Sequence, residues 1–137
     1  MRWRVPVLLI VMMLAACRNR HVKPVEDVGG GHDVSQFTLT SINGTRDGDR
    51  LDVRAVFGSA GDELKLTLHF TVTPPTQLQS GTWTGLSSAG TVTERSVTFL
   101  GGQSGPPSIG GRFDLIAATG AALYRVNIPL QPLTKSF

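Results

Sequence analysis

The sequence predicts an all-β domain, an antiparallel β-sandwich of about seven short strands. Three observations carry that prediction. Leu64, Leu66, Leu68, Phe70 and Val72 alternate strictly with Lys65, Thr67, His69 and Thr71. A sustained period of two is the pattern of a half-buried antiparallel strand; at helical spacing the same leucines would surround the axis and leave no polar face. Second, 16 glycines and 8 prolines punctuate 137 residues, at intervals that leave room for strands. Third, no amphipathic helical period is visible after Cys17. Short strands joined by glycine and proline turns suit a sandwich.

Three regions follow in order: a leader over 1–16, a flexible tether over 17–35, and a β-rich globular domain over 36–137. The tether mixes charges, holds Pro24 and carries Gly29-Gly30-Gly31, a composition that behaves as flexible coil. From Gln36 the period becomes two. Phe37 and Leu39 alternate with Thr38 and Thr40, Ile42 closes the run, and Asn43-Gly44 reads as a turn. Leu51, Val53, Ala55 and Phe57 form the inward side of a second strand, which Gly58 to Asp62 turns into the strand of Leu64–Val72. Pro74-Pro75 stops that strand, because proline cannot donate to a ladder.

Glycines bracket a short strand over 81–85, and another runs near 91–100 with Val97 and Phe99 inward. Gly101 to Gly111 holds five glycines and two prolines in eleven positions, so it reads as a loop. Phe113 and Leu115 point inward from the strand over 112–116. Tyr124, Val126, Ile128 and Leu130 share one side of the last strand, with Pro129 placing it at an edge or near its end; a tail follows from Pro132. A small calycin-like β-barrel is the alternative architecture for the same strands.

Charge excludes one function class. The chain carries +3 at pH 7, but Arg2, Arg4, Arg18, Arg20 and Lys23 lie in the leader and tether. From Asp33 onward, basic and acidic residues balance. The domain therefore has no electrostatic footprint for nucleic acid.

The leader is informative. Met1-Arg2-Trp3-Arg4 is basic, Val5 to Met13 is apolar, and Leu14-Ala15-Ala16-Cys17 brings small residues up to the only cysteine. This is the layout of a secretory signal. The apolar run spans about 12 residues where a bilayer-crossing helix needs about 20. Leu14-Ala15-Ala16-Cys17 resembles the lipobox of bacterial lipoproteins. That resemblance covers residues 1–17 and no family is recognised for the domain. It implies cleavage between Ala16 and Cys17, and fatty acylation of Cys17, palmitate among the chains. It also implies a protein held at the membrane surface of the cell envelope. By the same resemblance, Arg18 after the cysteine, where enterobacterial lipoproteins kept on the inner membrane carry Asp, implies the periplasmic face of the outer membrane in a host with two membranes. An acylated Cys17 leaves no thiol for disulfides or metal.

Other candidate sites are weaker. Asp47, Asp49 and Asp52 form an oxygen-rich loop of the kind that binds calcium. Arg46, Arg50 and Arg54 lie among these carboxylates and no later bidentate Glu completes the pattern, so a self-paired loop is expected and no metal is assigned. His21 and His32 fall in the tether and read as solvated. Trp83, beside glycines, and Tyr124 are candidate ligand-binding residues at a barrel mouth, against a core role for both. His69 sits on a polar strand face with no recognisable nucleophile setting. The Gly101–Gly111 loop lacks the Lys and following helix of a phosphate loop.

The expected function is a membrane-anchored, non-catalytic binding or structural module of the envelope, without cofactor. Its partners are the membrane and other envelope proteins or a small apolar ligand. A lipid-anchored barrel that binds a small ligand is the alternative, and a hydrolase is the third reading.

Overall fold

The computed structural model describes residues 23–101 and 107–133. Residues 1–22, Ala16, Cys17 and His21 among them, lie outside the described residues, as do 102–106 and 134–137. The strands are β1 Val25–Asp27, β2 Thr38–Asp47, β3 Arg50–Ser59, β4 Asp62–Thr71, β5 Gln77–Gly85, β6 Ser88–Leu100, β7 Ser108–Ala117 and β8 Ala122–Pro132. There is no helix among the described residues.

The fold is all-β and antiparallel, but the expected seven-stranded sandwich is replaced by one sheet of eight strands, curled into a half-barrel. Its order is β1-β8-β7-β6-β5-β4-β3-β2. From β2 to β8 each strand pairs with its sequence neighbour. Periodicity reports which face of a strand is buried; it does not report which strand lies beside it, and that choice separates a meander from a sandwich.

The curl is visible in the core. Phe70 of β4 meets Phe113 of β7 edge-on at 6.0 Å, and Trp83 of β5 meets Tyr124 of β8 at 5.9 Å. Both pairs are three strands apart, about 14 Å in a flat sheet. Only strong curvature closes that gap. The concave face buries the inward residues that alternation selected: Leu51, Val53, Ala55 and Phe57, then Leu64, Leu66, Leu68 and Phe70, then Phe113, Leu115, Tyr124 and Val126. Full burial of each large apolar side chain contributes about 1.5–3 kcal/mol.

Several boundaries depart from expectation. Asn43-Gly44 is no turn: β2 continues through it, with Asn43 opposite Arg54 and Gly44 opposite Val53. The turn comes at Gly48, which has φ +61°. Gly44 serves packing instead, since a Cβ there would stand 2.6 Å from Cδ1 of Leu133. Leu133, expected in the tail, is buried and ties the end of β8 to β2 across the opening of the curl. The Gly101–Gly111 loop ends early, because Ser108–Gly111 already belongs to β7. Leu130 leaves the shared face of its strand and is 48% exposed, after the irregularity where β7 passes Gly110.

The expected tether also ends early. Val25 of β1 is buried opposite Val126, and β1 covers the edge of β8. Beyond it Asp27 Oδ1 accepts bonds from the amides of Gly29 and Gly30, at 3.0 and 2.7 Å. The glycines are needed for closeness: a Cβ on Gly30 would fall 2.2 Å from the Tyr124 ring. A coil-like composition here permits a tight hook, and the apolar Val25 and Val34 anchor it.

Candidate functional site

Turn geometry builds the main polar cluster. The β3–β4 hairpin closes through Ala60 and Gly61, with φ +48° and +94°. Two consecutive positive φ values define the tight turn whose twist matches that of its strands. Counting outward from the Ser59–Asp62 pair places Asp52 opposite His69, and β5 places Ser80 beside His69. All three lie on the convex face, away from the core. Next to Ser80 the β4–β5 register slips, and Gln79 of the bulge donates from Nε2 to Thr71 Oγ1 at 3.0 Å. Bulges re-aim side chains in this way.

Asp52 Oδ1 is the hub. It lies 2.6 Å from His69 Nδ1 and accepts from Arg50 Nε at 2.9 Å. Arg50 cannot accept a bond, so its guanidinium, 3.4 Å from His69 Nδ1, contributes through Asp52. The hydrogen bond from His69 holds the Asp52 carboxyl below the usual carboxylate range, and Arg50 adds to it. With Nδ1 engaged by Asp52, His69 Nε2 is the ring nitrogen left for a ligand. The two side chains are 34% and 32% exposed, so this is a solvent-reachable pair.

Beside it opens a cleft of about 530 Å³, lined by Asp49, Arg50, His69, Phe70, Thr71, Gln79 and Ser80. Asp49 forms one wall and is fixed by the Thr73 amide at 2.6 Å and by the Thr73 hydroxyl. The cleft thus offers a guanidinium, an imidazole and an amide, with the Asp49 carboxylate on one wall already bonded to Thr73. That set suits a polar or anionic ligand. Among the described residues no hydrogen bond joins Ser80 to His69.

The sequence-derived candidates distribute differently. Asp47, Asp49 and Asp52 do not converge: Asp49 faces Thr73 and Asp52 faces His69. Among the described residues no group of three or more His, Cys, Asp or Glu side chains could hold a metal ion. Trp83 and Tyr124 are each 1% exposed, packed inside the curl and not at a mouth. Trp83 Nε1 donates to the carbonyl of Ile116 at 3.0 Å, which satisfies its polar edge. The Tyr124 hydroxyl meets His32 Nδ1 at 2.9 Å. Burial, with the nearby Asp27 charge, raises the Tyr124 pKa above its ordinary value. His32 is therefore engaged with the domain and lines a second cleft, of about 470 Å³, between β1 and the hook.

A further polar ladder crosses the convex face. Asp114 accepts from Arg125 Nε at 2.9 Å and from Arg95 Nη1 at 3.2 Å. Burial pushes its carboxyl up, yet the bonds and charges of the two arginines outweigh that and hold it below the usual range.

Arg50, Gln79 and Ser80 were not singled out by the sequence. The signal for Arg50 was present in the hairpin count, which sets it two residues from Asp52 on the same face. Gln79 owes its position to a bulge, for which the sequence carries no marker. No known protein family, curated protein or solved structure matches the chain.

Proposed function

We propose that the chain is a lipid-anchored protein of the cell envelope, held through Cys17, whose half-barrel acts as a non-catalytic binding module. The Leu14-Ala15-Ala16-Cys17 sequence behind a short apolar run carries this reading. The described strands begin at Val25, so cleavage before Cys17 would remove none of them. Two or more acyl chains are needed for a lasting hold, since each buried methylene contributes about 0.8 kcal/mol and one chain alone is marginal.

The binding surface is the cleft beside Asp52 and His69. The interior is occupied by aromatic side chains, which supports a ligand bound outside the curl in preference to the barrel-cavity alternative. Radiolabelled fatty acid should enter the natural chain and not the Cys17→Ser variant; equal incorporation in both would remove the anchor. For the cleft, titration with small anions such as phosphate and acetate should shift the His69 ring resonances in NMR spectra. Shifts that persist unchanged in Arg50→Ala would place the binding elsewhere.

A further inference from the structure

The half-barrel has two poles, and they differ. At one pole β2, β4, β6 and β8 end while β3, β5 and β7 begin. β1 is antiparallel to β8, so its first residues are the ones nearer this pole, and Lys23 and Pro24 meet β8 at Asn127, midway along the strand. Asn127 Nδ2 donates to the Lys23 carbonyl at 2.6 Å, and the Asn127 amide donates to the Pro24 carbonyl at 2.9 Å. The point where the chain enters the fold is thereby fixed.

Reach is the decisive quantity. Five residues, Arg18 to Val22, separate Cys17 from Lys23. Even fully extended, that distance is about 20 Å. A domain tied so closely cannot swing free of the surface to which Cys17 is fastened.

The same pole is the apolar one. Leu100 is 56% exposed at the end of β6, and Leu130 is 48% exposed near the end of β8, on either side of the first residues of β7. Pro74, Pro75, Pro129 and Pro132 are exposed there too. The third exposed large apolar residue, Val28, lies toward the other pole. Among the described residues, the charges toward the leucine-bearing pole are Lys23, Arg46 and Arg50 against Asp47, Asp49 and Asp52, with Arg50 paired to Asp52 at 2.9 Å. Arg46 is held over the Phe99 ring at 5.5 Å, and Asp49 is held by Thr73. Exposed leucines and prolines within a charge-balanced rim, on a domain held close to the surface, are what the headgroup level of a bilayer takes up.

We infer that this pole docks on the bilayer that carries the anchor, with Leu100 and Leu130 inserted at the headgroup level. The inference rests on anchorage through Cys17. Docking would orient the molecule, turning the Ala60-Gly61, Leu86-Ser87 and Gly120 turns away from the membrane. It would also set the Arg50–His69 cleft just above the lipid headgroups.

The test uses the mature acylated protein in phosphatidylethanolamine–phosphatidylglycerol vesicles. Cys17 is the sole natural cysteine and is blocked by acylation, so Leu100→Cys, Leu130→Cys and Thr119→Cys each take a nitroxide at one site. Emission from Trp83, the only tryptophan left after cleavage, confirms that each variant is folded. Labels at 100 and 130 should be about fivefold or more less accessible to an aqueous nickel chelate than the label at 119. Equal accessibility at the three positions, in protein that floats with the vesicles, overturns docking and leaves the anchor standing. Failure to float overturns the anchor, and docking with it.

Discussion

Single side chains in this protein are held by contacts with little slack. Gly90 is the tightest case: a Cβ there would stand 1.8 Å from the Ile116 carbonyl oxygen, the same oxygen that accepts from Trp83. Gly90→Ala must push β6 from β7 or break the indole bond. Overpacking of this kind costs about 1–3 kcal/mol. Urea unfolding should show that loss, together with a red-shifted Trp83 emission. Acid sensitivity belongs to this scale too. Asp52 and Asp114 have folded pKa values below their ordinary 3.8. The unfolded chain then binds more protons than the folded one. The stability they contribute is present above about pH 3.8 and is lost as pH falls through the lower folded values. The midpoint of urea unfolding should therefore drop between about pH 4 and pH 2, and less steeply in an Asp52→Asn, Asp114→Asn double variant. At neutral pH Asp114→Asn alone should cost about 1 kcal/mol, because charge-assisted bonds to two arginines are weakened.

At the scale of elements, strands with one buried face were legible and their edges were not. Leu51 to Phe57 and Leu64 to Phe70 alternate without a break, and β3 and β4 bury the expected side chains. Phe37 and Ile42 are both buried although an even spacing does not fit five residues; the bulge between Leu39 and Ser41 absorbs the mismatch. β1 was hidden for a physical reason. Three residues are too few to show a period, and their polar neighbours mask a single buried valine. Asn43-Gly44 misled because a dipeptide that favours a turn also fits a strand where a neighbour needs the space, here Leu133. Turn chemistry gives one constructive test. Ala60 occupies a left-handed position that asparagine tolerates better, so Ala60→Asn should raise stability by about 0.5 kcal/mol in thermal or urea unfolding. β1 gives another. Val25→Asp should detach it and uncover the β8 edge, and a bare edge pairs with other chains. Sedimentation velocity should then reveal dimers or larger species, whereas an unchanged monomer–oligomer profile would mean that the edge is protected in another way.

Across the whole molecule, the half-barrel places its specific polar groups outside and its aromatics inside. Alternation identified Tyr124 as a core residue while the glycines beside Trp83 invited a ligand reading; the curl, which brings β5 to β8, packs the two rings against each other in the interior. The polar cleft was legible in its parts, Asp52 and His69, and illegible as a cleft, because a bulge and a strand order had to be supplied first. Long-range pairing also sets a pace. β1 joins β8 across about a hundred residues of chain, and such contacts slow folding into the millisecond-to-second range. Stopped-flow refolding of the Cys17→Ser variant should fall in that window.

Leu133 and the β1–β8 ladder have a consequence for how the chain is made. The first strand finds its only partner in the last, and the side chain that bridges the opening comes after both. A growing polypeptide can zip β2 through β7 as they emerge, yet β1 stays unmatched until β8 arrives. Closure of the sheet edge is thus reported by β8, and a product that stops before Val126 leaves β1 as a loose end for proteases to seize.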